Sequence, residues 1–157
     1  MARYEVNNQL GGTQQNLSSS YKSLVTVLAS SSIQARRAFV VSAAFGTNGT
    51  PANNELEWDI SRVSADGTGT GITCNPLDAA DAASCTAGSV NYTAEPTVTS
   101  ASSLFYMGLN QQASYRWVAI DDRDRLVVPA TAAHGFAFRA KSAAYASTAT
   151  CSVHFDE

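Results

Sequence analysis

Residues 55–63 carry the pattern that most narrows what this chain of 157 residues folds into. Apolar and polar side chains alternate along this segment: Leu56, Trp58 and Ile60 are apolar, and Glu57, Asp59 and Ser61 are polar. Successive side chains of a strand point to opposite faces of a sheet, so this alternation predicts a strand with one face in the core and the other in water.

Shorter segments rich in β-branched and aromatic residues recur along the chain, and clusters of turn residues such as 30–32, 46–51 and 66–71 separate them. The other predicted strands cover residues 21–28, 36–45, 92–98, 103–109, 115–120, 125–128, 135–140 and 148–155. About eight to ten short strands at this spacing are typical of an antiparallel sandwich. The sequence therefore predicts an all-β fold, a jelly roll or β-sandwich with one short helix.

The predicted helix covers residues 75–84. Asn75 is a good capping residue, and Pro76 suits the first helical position. Asp78 and Asp81 fall in the early turns, where the helix dipole favours negative charge.

The first 20 residues differ in composition from the rest. They contain few large apolar side chains and many Asn, Gln, Gly and Ser residues, with Gly11 and Gly12 in the middle. Such a segment is ordered only when something holds it. The sequence therefore predicts an extended N-terminal arm over residues 1–20 and a jelly-roll domain over residues 21–157.

The chain carries few charges. Charged residues make up 15% of it, and the formal net charge is −3. The sequence therefore lacks the excess of basic residues that binds nucleic acid or an anionic membrane. The N-terminal residues are polar and lack the apolar segment of a secretory signal, so we expect no secretion. A surface with so little charge tolerates contact with other proteins.

No catalytic or metal-binding pattern stands out. His134 and His154 each stand alone, without the spacing of a zinc site, and no GxSxG motif is present. Residues 121–124 are acidic enough to suggest Ca²⁺, but interleaved arginines favour a charged hairpin tip. We expect a protein that is not an enzyme and that binds no cofactor and no metal.

Cysteine and tryptophan each leave two interpretations open. Cys74, Cys85 and Cys151 are small buried thiols in a reducing compartment, whereas a bridge between Cys74 and Cys85 would indicate an oxidising one. Trp58 and Trp117 fall in the apolar register of their strands, which favours core packing. Exposed indoles would instead form a platform on which sugars stack.

Several segments from residue 36 onward resemble the small jelly-roll head decoration, or cement, proteins of tailed bacteriophages. The segments that carry this resemblance by their order and spacing are residues 37–41, 45–52, 58–62, 75–82, 93–98, 109–118, 126–131 and 153–157. None of them is a catalytic signature.

The resemblance implies a virion structural protein made in the host cytoplasm and carried on the outer capsid surface. Its partners would be the major capsid protein and further copies of itself in a homotrimer, placed at three-fold positions and clamping the expanded shell. A polar arm suits such a clamp, because it adds a strand to a neighbour through main-chain hydrogen bonds. The candidate subunit and capsid contacts are Arg3, Tyr4, Asn7, Asn8, Gln9, Gln14, Gln15, Asn110, Gln111, Arg116 and Arg139.

Two other functions stay open at this stage. A carbohydrate-binding jelly roll on a virion surface would present Trp58 or Trp117 to solvent. A tail or neck component would use a similar sandwich in six-fold or helical rings instead of three-fold trimers.

Overall fold

The computed structural model describes residues 1–12, 14–30 and 34–157. Over these residues the chain forms two antiparallel sheets of six strands each and no helix, which confirms the predicted all-β sandwich. Part of the break predicted at residues 30–32 lies outside the described residues. Nowhere in the described ranges is there a helix long and apolar enough to cross a membrane.

Sheet I consists of β1, β3, β6, β9, β10 and β12. From one edge to the other, its order is β10 (Leu126–Val128), β3 (Ala38–Thr47), β12 (Ala149–Asp156), β1 (Arg3–Asn7) and β6 (Asn75–Pro76). The sixth strand, β9 (Tyr115–Val118), pairs with β3 on the same side as β10.

Sheet II consists of the other six strands. Its order is β5 (Thr68–Ile72), β7 (Thr86–Ala94), β2 (Lys22–Ala29), β11 (Gly135–Lys141), β4 (Glu55–Ala65) and β8 (Thr97–Asn110). The long strand β8 forms one edge of this sheet and pairs with β4.

The core lies between the two sheets, and the alternating segment supplies its centre. Leu56, Trp58 and Ile60 on β4 are at most 1% exposed, as the alternation predicts. The ring of Trp58 packs 5.0 Å from that of Phe45 on β3, which joins the two sheets. Burying large aromatic side chains of this kind contributes much of the free energy of folding.

The N-terminal segment is part of sheet I. Strand β1 lies between β12 and β6 and pairs with β12 from Arg3 opposite Asp156 to Asn7 opposite Ser152. Further along, Leu17 is buried in the core. Extended backbone is therefore present where the sequence predicts an arm, but Arg3–Asn7 is held by strands of the same chain and is not detached from the body.

The helix predicted over residues 75–84 is wrong. Asn75 and Pro76 form β6 against β1, so the backbone is extended where the cap and the first helical position were expected. The Leu77 N–H then donates to the carbonyl of Arg3 at 2.8 Å, and turns follow. A ten-residue helix without an apolar face is marginal in water, so strand pairing with β1 wins.

The cysteines provide a test of this packing. All three are free thiols; Cys74 and Cys151 are buried, and Cys85 is partly exposed. Burial raises the pKa of Cys74 to about 12 and also raises that of Cys151. Because the thiolate is the reactive form, we expect iodoacetamide at pH 8 to label Cys85 in the native protein and all three cysteines after denaturation.

Peptide mapping by mass spectrometry reads this out. Labelling of native Cys74 as fast as that of Cys85 would contradict the packing. Failure of Cys74 and Cys85 to label in the denatured protein before a reducing agent is added would instead reveal a bridge between them.

Candidate functional site

A short apolar segment protrudes from the surface where β9 ends. Val118 is 52% exposed and Ile120 is 92% exposed, yet their backbone is fixed, because Ala119 N–H donates to the carbonyl of Val41 on β3 at 2.9 Å. At the following turn the carboxylate of Asp121 accepts from the N–H of Arg123 at 2.7 Å. We call residues 118–120 the ridge.

An apolar cavity of about 310 Å³ lies on one side of the ridge, between the edges of the two sheets. Strand β8 contributes Phe105, whose ring stacks 6.2 Å from Phe45 and 5.8 Å from Tyr115. Trp117 and Leu126 also line the cavity and pack against the core, and Asp124 is the acidic residue of an otherwise apolar and aromatic wall. The cavity therefore opens from the surface toward the hydrophobic core between the two sheets.

The rim of the apolar cavity belongs to an open sheet edge. Strand β8 runs for 14 residues and pairs with β4 alone among the described strands, so one side of its main chain is unpaired. Leu104 and Tyr106 on this strand are 42% and 60% exposed. A long edge strand with apolar side chains is a template for pairing with another chain.

A cleft of about 220 Å³ lies on the other side of the ridge, and its charged and titratable lining residues are Arg3, Arg116, Arg125, His154, Asp121 and Asp122. We call it the arginine cleft. Arg3 makes two hydrogen bonds to Asp156, at 2.6 and 3.0 Å, and they are the main reason that the pKa of Arg3 is raised.

The other two arginines of the cleft differ in their partners. Arg125 forms an ion pair with Asp122 at 2.7 Å. Arg116 donates to the hydroxyl of Ser42 at 3.3 Å, and no carboxylate of the described residues lies within 4 Å of it. Arg116 is therefore the cation of this cleft that is free to pair with an incoming carboxylate.

A second polar cluster covers the outer face of sheet II. The carboxylate of Asp59 accepts two hydrogen bonds from Arg139, at 2.6 and 2.9 Å, and one each from Ser61 and Ser103, at 2.6 and 2.5 Å. The ring of Tyr21 lies 4.6 Å from the Arg139 guanidinium and covers it. The prediction that this face is in water is therefore wrong for Asp59 and Ser61, which are buried beneath longer side chains.

Glu57 lies at the exposed margin of the same cluster. Burial by itself would raise the pKa of its carboxyl, but hydrogen bonds from Tyr106 at 2.9 Å, Lys141 and Tyr21 outweigh burial and lower that pKa. Because the pKa is lower in the folded state than in the unfolded chain, the ionised carboxylate stabilises the fold at pH values above the ordinary pKa of a glutamate. This stabilisation is lost as the pH falls through the lowered pKa.

We therefore expect the free energy of unfolding to fall below about pH 4.5 and to fall less steeply in Glu57→Gln. Urea denaturation between pH 2 and pH 7 measures this. Glu55→Gln, at the exposed start of β4, is the matched control and should follow the wild type. A decline in Glu57→Gln parallel to that of the wild type would contradict the assignment.

The predicted contact residues do not form one surface. Arg3 and Arg116 meet in the arginine cleft, and Asn7 and Gln9 line a neighbouring depression on the same face of sheet I. Asn110 is exposed at the end of β8. These five side chains are accessible to a partner.

The remaining predicted contacts are engaged within the chain. Gln14 accepts from Asn48, and Gln15 donates to the carbonyl of Ser23. Four further side chains are mostly covered, because each makes contacts within the chain itself. Tyr4 stacks on Phe155, Asn8 forms hydrogen bonds with the main chain of Ala149 and Cys151, Gln111 forms hydrogen bonds with Ala52 and Ser142, and Arg139 donates to Asp59.

The ridge was missed by sequence reasoning, which assigned residues 115–120 to an ordinary strand. The signal was present, because residues 117–120 are apolar at every position, whereas a strand with one wet face alternates. Among the described residues, no group of three or more His, Cys, Asp or Glu side chains is placed to hold a metal ion.

The chain matches no protein-family model, no curated protein and no solved structure. Its function is therefore inferred from its own residues and surfaces.

Proposed function

We propose that the protein is a non-enzymatic structural component of a virion, a decoration or cement protein that binds the outside of a phage head and stabilises the major capsid lattice. The ridge is the observation that carries this proposal. Val118, the last residue of β9, and Ile120, two residues beyond it, are exposed to water although the backbone between them is hydrogen-bonded to β3 through Ala119. Contiguous apolar side chains held this way mark a surface that a protein partner covers.

The fold is suited to this role. The proposed type of sandwich is a jelly roll; the chain passes from β2 in sheet II to β3 in sheet I and back to β4, a crossing that jelly rolls share with other antiparallel sandwiches. Charged residues are only 15% of the sequence, which lowers the cost of burying its surface against other subunits. The proposed partners are the major capsid protein and further copies in a homotrimer, with no nucleic acid, membrane or cofactor.

Main-chain pairing is available to such a partner at β8. Strand β1 already pairs on both sides within its own chain, so residues 3–7 are not free to add a strand to a neighbour. The unpaired side of β8 offers the same kind of hydrogen bonding over up to 14 residues. We therefore assign strand addition to β8 and not to the N-terminus.

The proposed mechanism is stabilisation by binding. A protein that binds the assembled shell and not its dissociated subunits stabilises the shell by mass action. A trimer that engages several capsid subunits at once multiplies a modest contact through its high effective concentration. The protein needs no chemistry of its own for this function.

A sugar-binding function has weaker support. Stacking on sugars needs an exposed indole, but Trp58 is 1% exposed and Trp117 packs partly against the core. The tail or neck alternative shares the same sandwich and differs in the symmetry of the assembly.

The test is to heat capsids that lack the protein, with and without the purified chain, and to follow their rupture. We expect the rupture temperature to rise with occupancy and then to saturate. Ile120→Glu should raise it less than the wild type, whereas Leu10→Glu, at a distant apolar residue that is 42% exposed, should match the wild type. An unchanged rupture temperature at saturating occupancy would contradict the proposal.

A further inference from the structure

A second surface complements the ridge and its two flanking cavities. Residues 77–82, which we call the acidic loop, follow β6 and carry Leu77, Asp78 and Asp81. Leu77 is 52% exposed, and Asp78 is exposed beside it. No cation of the described residues pairs with Asp78 within 4 Å.

The acidic loop is held in a defined shape. Its first N–H, that of Leu77, donates to the carbonyl of Arg3 at 2.8 Å, and the hydroxyl of Tyr4 donates to the carbonyl of Ala82 at 2.9 Å. Within the loop, the N–H of Ala80 donates to the carboxylate of Asp78 at 2.9 Å. An exposed apolar side chain and an exposed carboxylate are therefore presented next to each other on a fixed backbone.

The ridge presents the opposite arrangement. The apolar cavity on one side has room for a side chain such as leucine against a wall that is apolar and aromatic apart from Asp124. In the arginine cleft on the other side, Asp121 and Asp122 already pair with Arg123 and Arg125, whereas Arg116 lacks a carboxylate partner among the described residues. If the loop met the ridge, its apolar side chain would face the apolar cavity and its carboxylate would face the Arg116 guanidinium, an arrangement found at protein interfaces.

The loop and the ridge of one chain lie too far apart to meet. One row across sheet I connects them through β3, β12 and β1, with neighbours paired in this order: Val118, Ser42, His154, Glu5, Asn75. Four strand spacings separate its ends, which amounts to roughly 19 Å. The acidic loop of a different copy must therefore fill the site.

We propose that the acidic loop of one copy docks on the ridge of the next copy, with Leu77 in the apolar cavity and Asp78 paired with Arg116. Such a contact joins two different surfaces and is head-to-tail, so it generates rings or filaments. A ring forms when each copy is rotated by a fixed fraction of a full turn relative to the copy before it, and this closed form is the one we propose. The inference rests on the proposed function for the choice of three copies in that ring.

Charge reversal tests the docking. Sedimentation velocity of the full chain across a dilution series should give a trimer for the wild type and a monomer for Arg116→Asp and for Asp78→Arg. The double variant, which restores opposite charges across the contact, should recover the trimer. Arg37→Asp, an equal change of charge at an exposed residue outside both surfaces, should stay trimeric, and circular dichroism should show that every variant is folded.

A wild type that is monomeric throughout, a single reversal that stays trimeric, or a double variant that stays monomeric would overturn the docking. A trimer held by strand pairing at β8 in place of the acidic loop would stay trimeric in both single reversals, which is the second of these results. The heating of capsids separates this inference from the proposed function. A monomer that still raises the rupture temperature overturns only the docking, and a trimer that does not raise it overturns only the capsid role.

Discussion

Replacing Asp59 with asparagine should lower the free energy of unfolding by about 3–5 kcal/mol, because it leaves a largely buried arginine without its counter-charge. The side chains of Asp59 and Arg139 are only 4% and 16% exposed. Both carboxylate oxygens of Asp59 accept hydrogen bonds, one from Ser103 and the other from Arg139. The NH₂ group of an asparagine would therefore face one of these donors and could not accept from it. Urea denaturation at neutral pH measures the loss.

The control is the same substitution at an exposed ion pair. Asp122 pairs with Arg125 at 2.7 Å, but its side chain is 87% exposed, and a pair of this kind contributes about 0–1 kcal/mol. We therefore expect Asp122→Asn to stay close to the wild type. Equal losses in the two variants would contradict the expectation that the buried pair of Asp59 and Arg139 stabilises the fold more than the exposed pair of Asp122 and Arg125.

Trp58→Ala should cost a similar amount, about 3–5 kcal/mol, since it removes a large side chain from the centre of the core and leaves a cavity. The Trp58 ring packs against Phe45 of the other sheet, so the loss weakens the contact between the sheets. Its indole Nε1–H is buried without a hydrogen-bond partner. Trp58→Phe should therefore cost much less than Trp58→Ala, because it keeps an aromatic ring and removes that unpaired donor.

Trp117→Ala provides the comparison, since Trp117 is only partly buried at the wall of the apolar cavity. We expect a smaller loss of stability from this variant. If Trp58→Ala cost no more than Trp117→Ala, Trp58 would not be the core residue described above. An accessible Trp58 would also revive the sugar-stacking alternative.

Local patterns predict most of the fold, and pairing between distant segments accounts for what they miss. Alternation locates β4 because its inward side is apolar along the strand. Strand β5 was assigned to a turn, since its Gly and Thr residues lie at an exposed sheet edge and show no apolar side. Strand β6 was assigned to a helix because capping residues say nothing of β1, some 70 residues away in sequence, with which it pairs.

The candidate site was less accessible to sequence reasoning. Gln111 has the polarity of a surface contact, yet it is fully buried and bonded to Ala52 and Ser142. The arginine cleft joins Arg3 and Arg116, residues far apart in the sequence that only the order of strands in sheet I brings together. Strand order depends on the whole chain, so neither pattern nor composition reveals it.

Cryo-electron microscopy tests the proposed function most directly, on the phage particle to which the proposal assigns this chain. We expect the sandwich to appear as three-fold clusters on the outside of the head, between the capsomers of the expanded shell. Density for the chain in six-fold or helical rings of the tail or neck, or its absence from the particle, would contradict a capsid decoration protein.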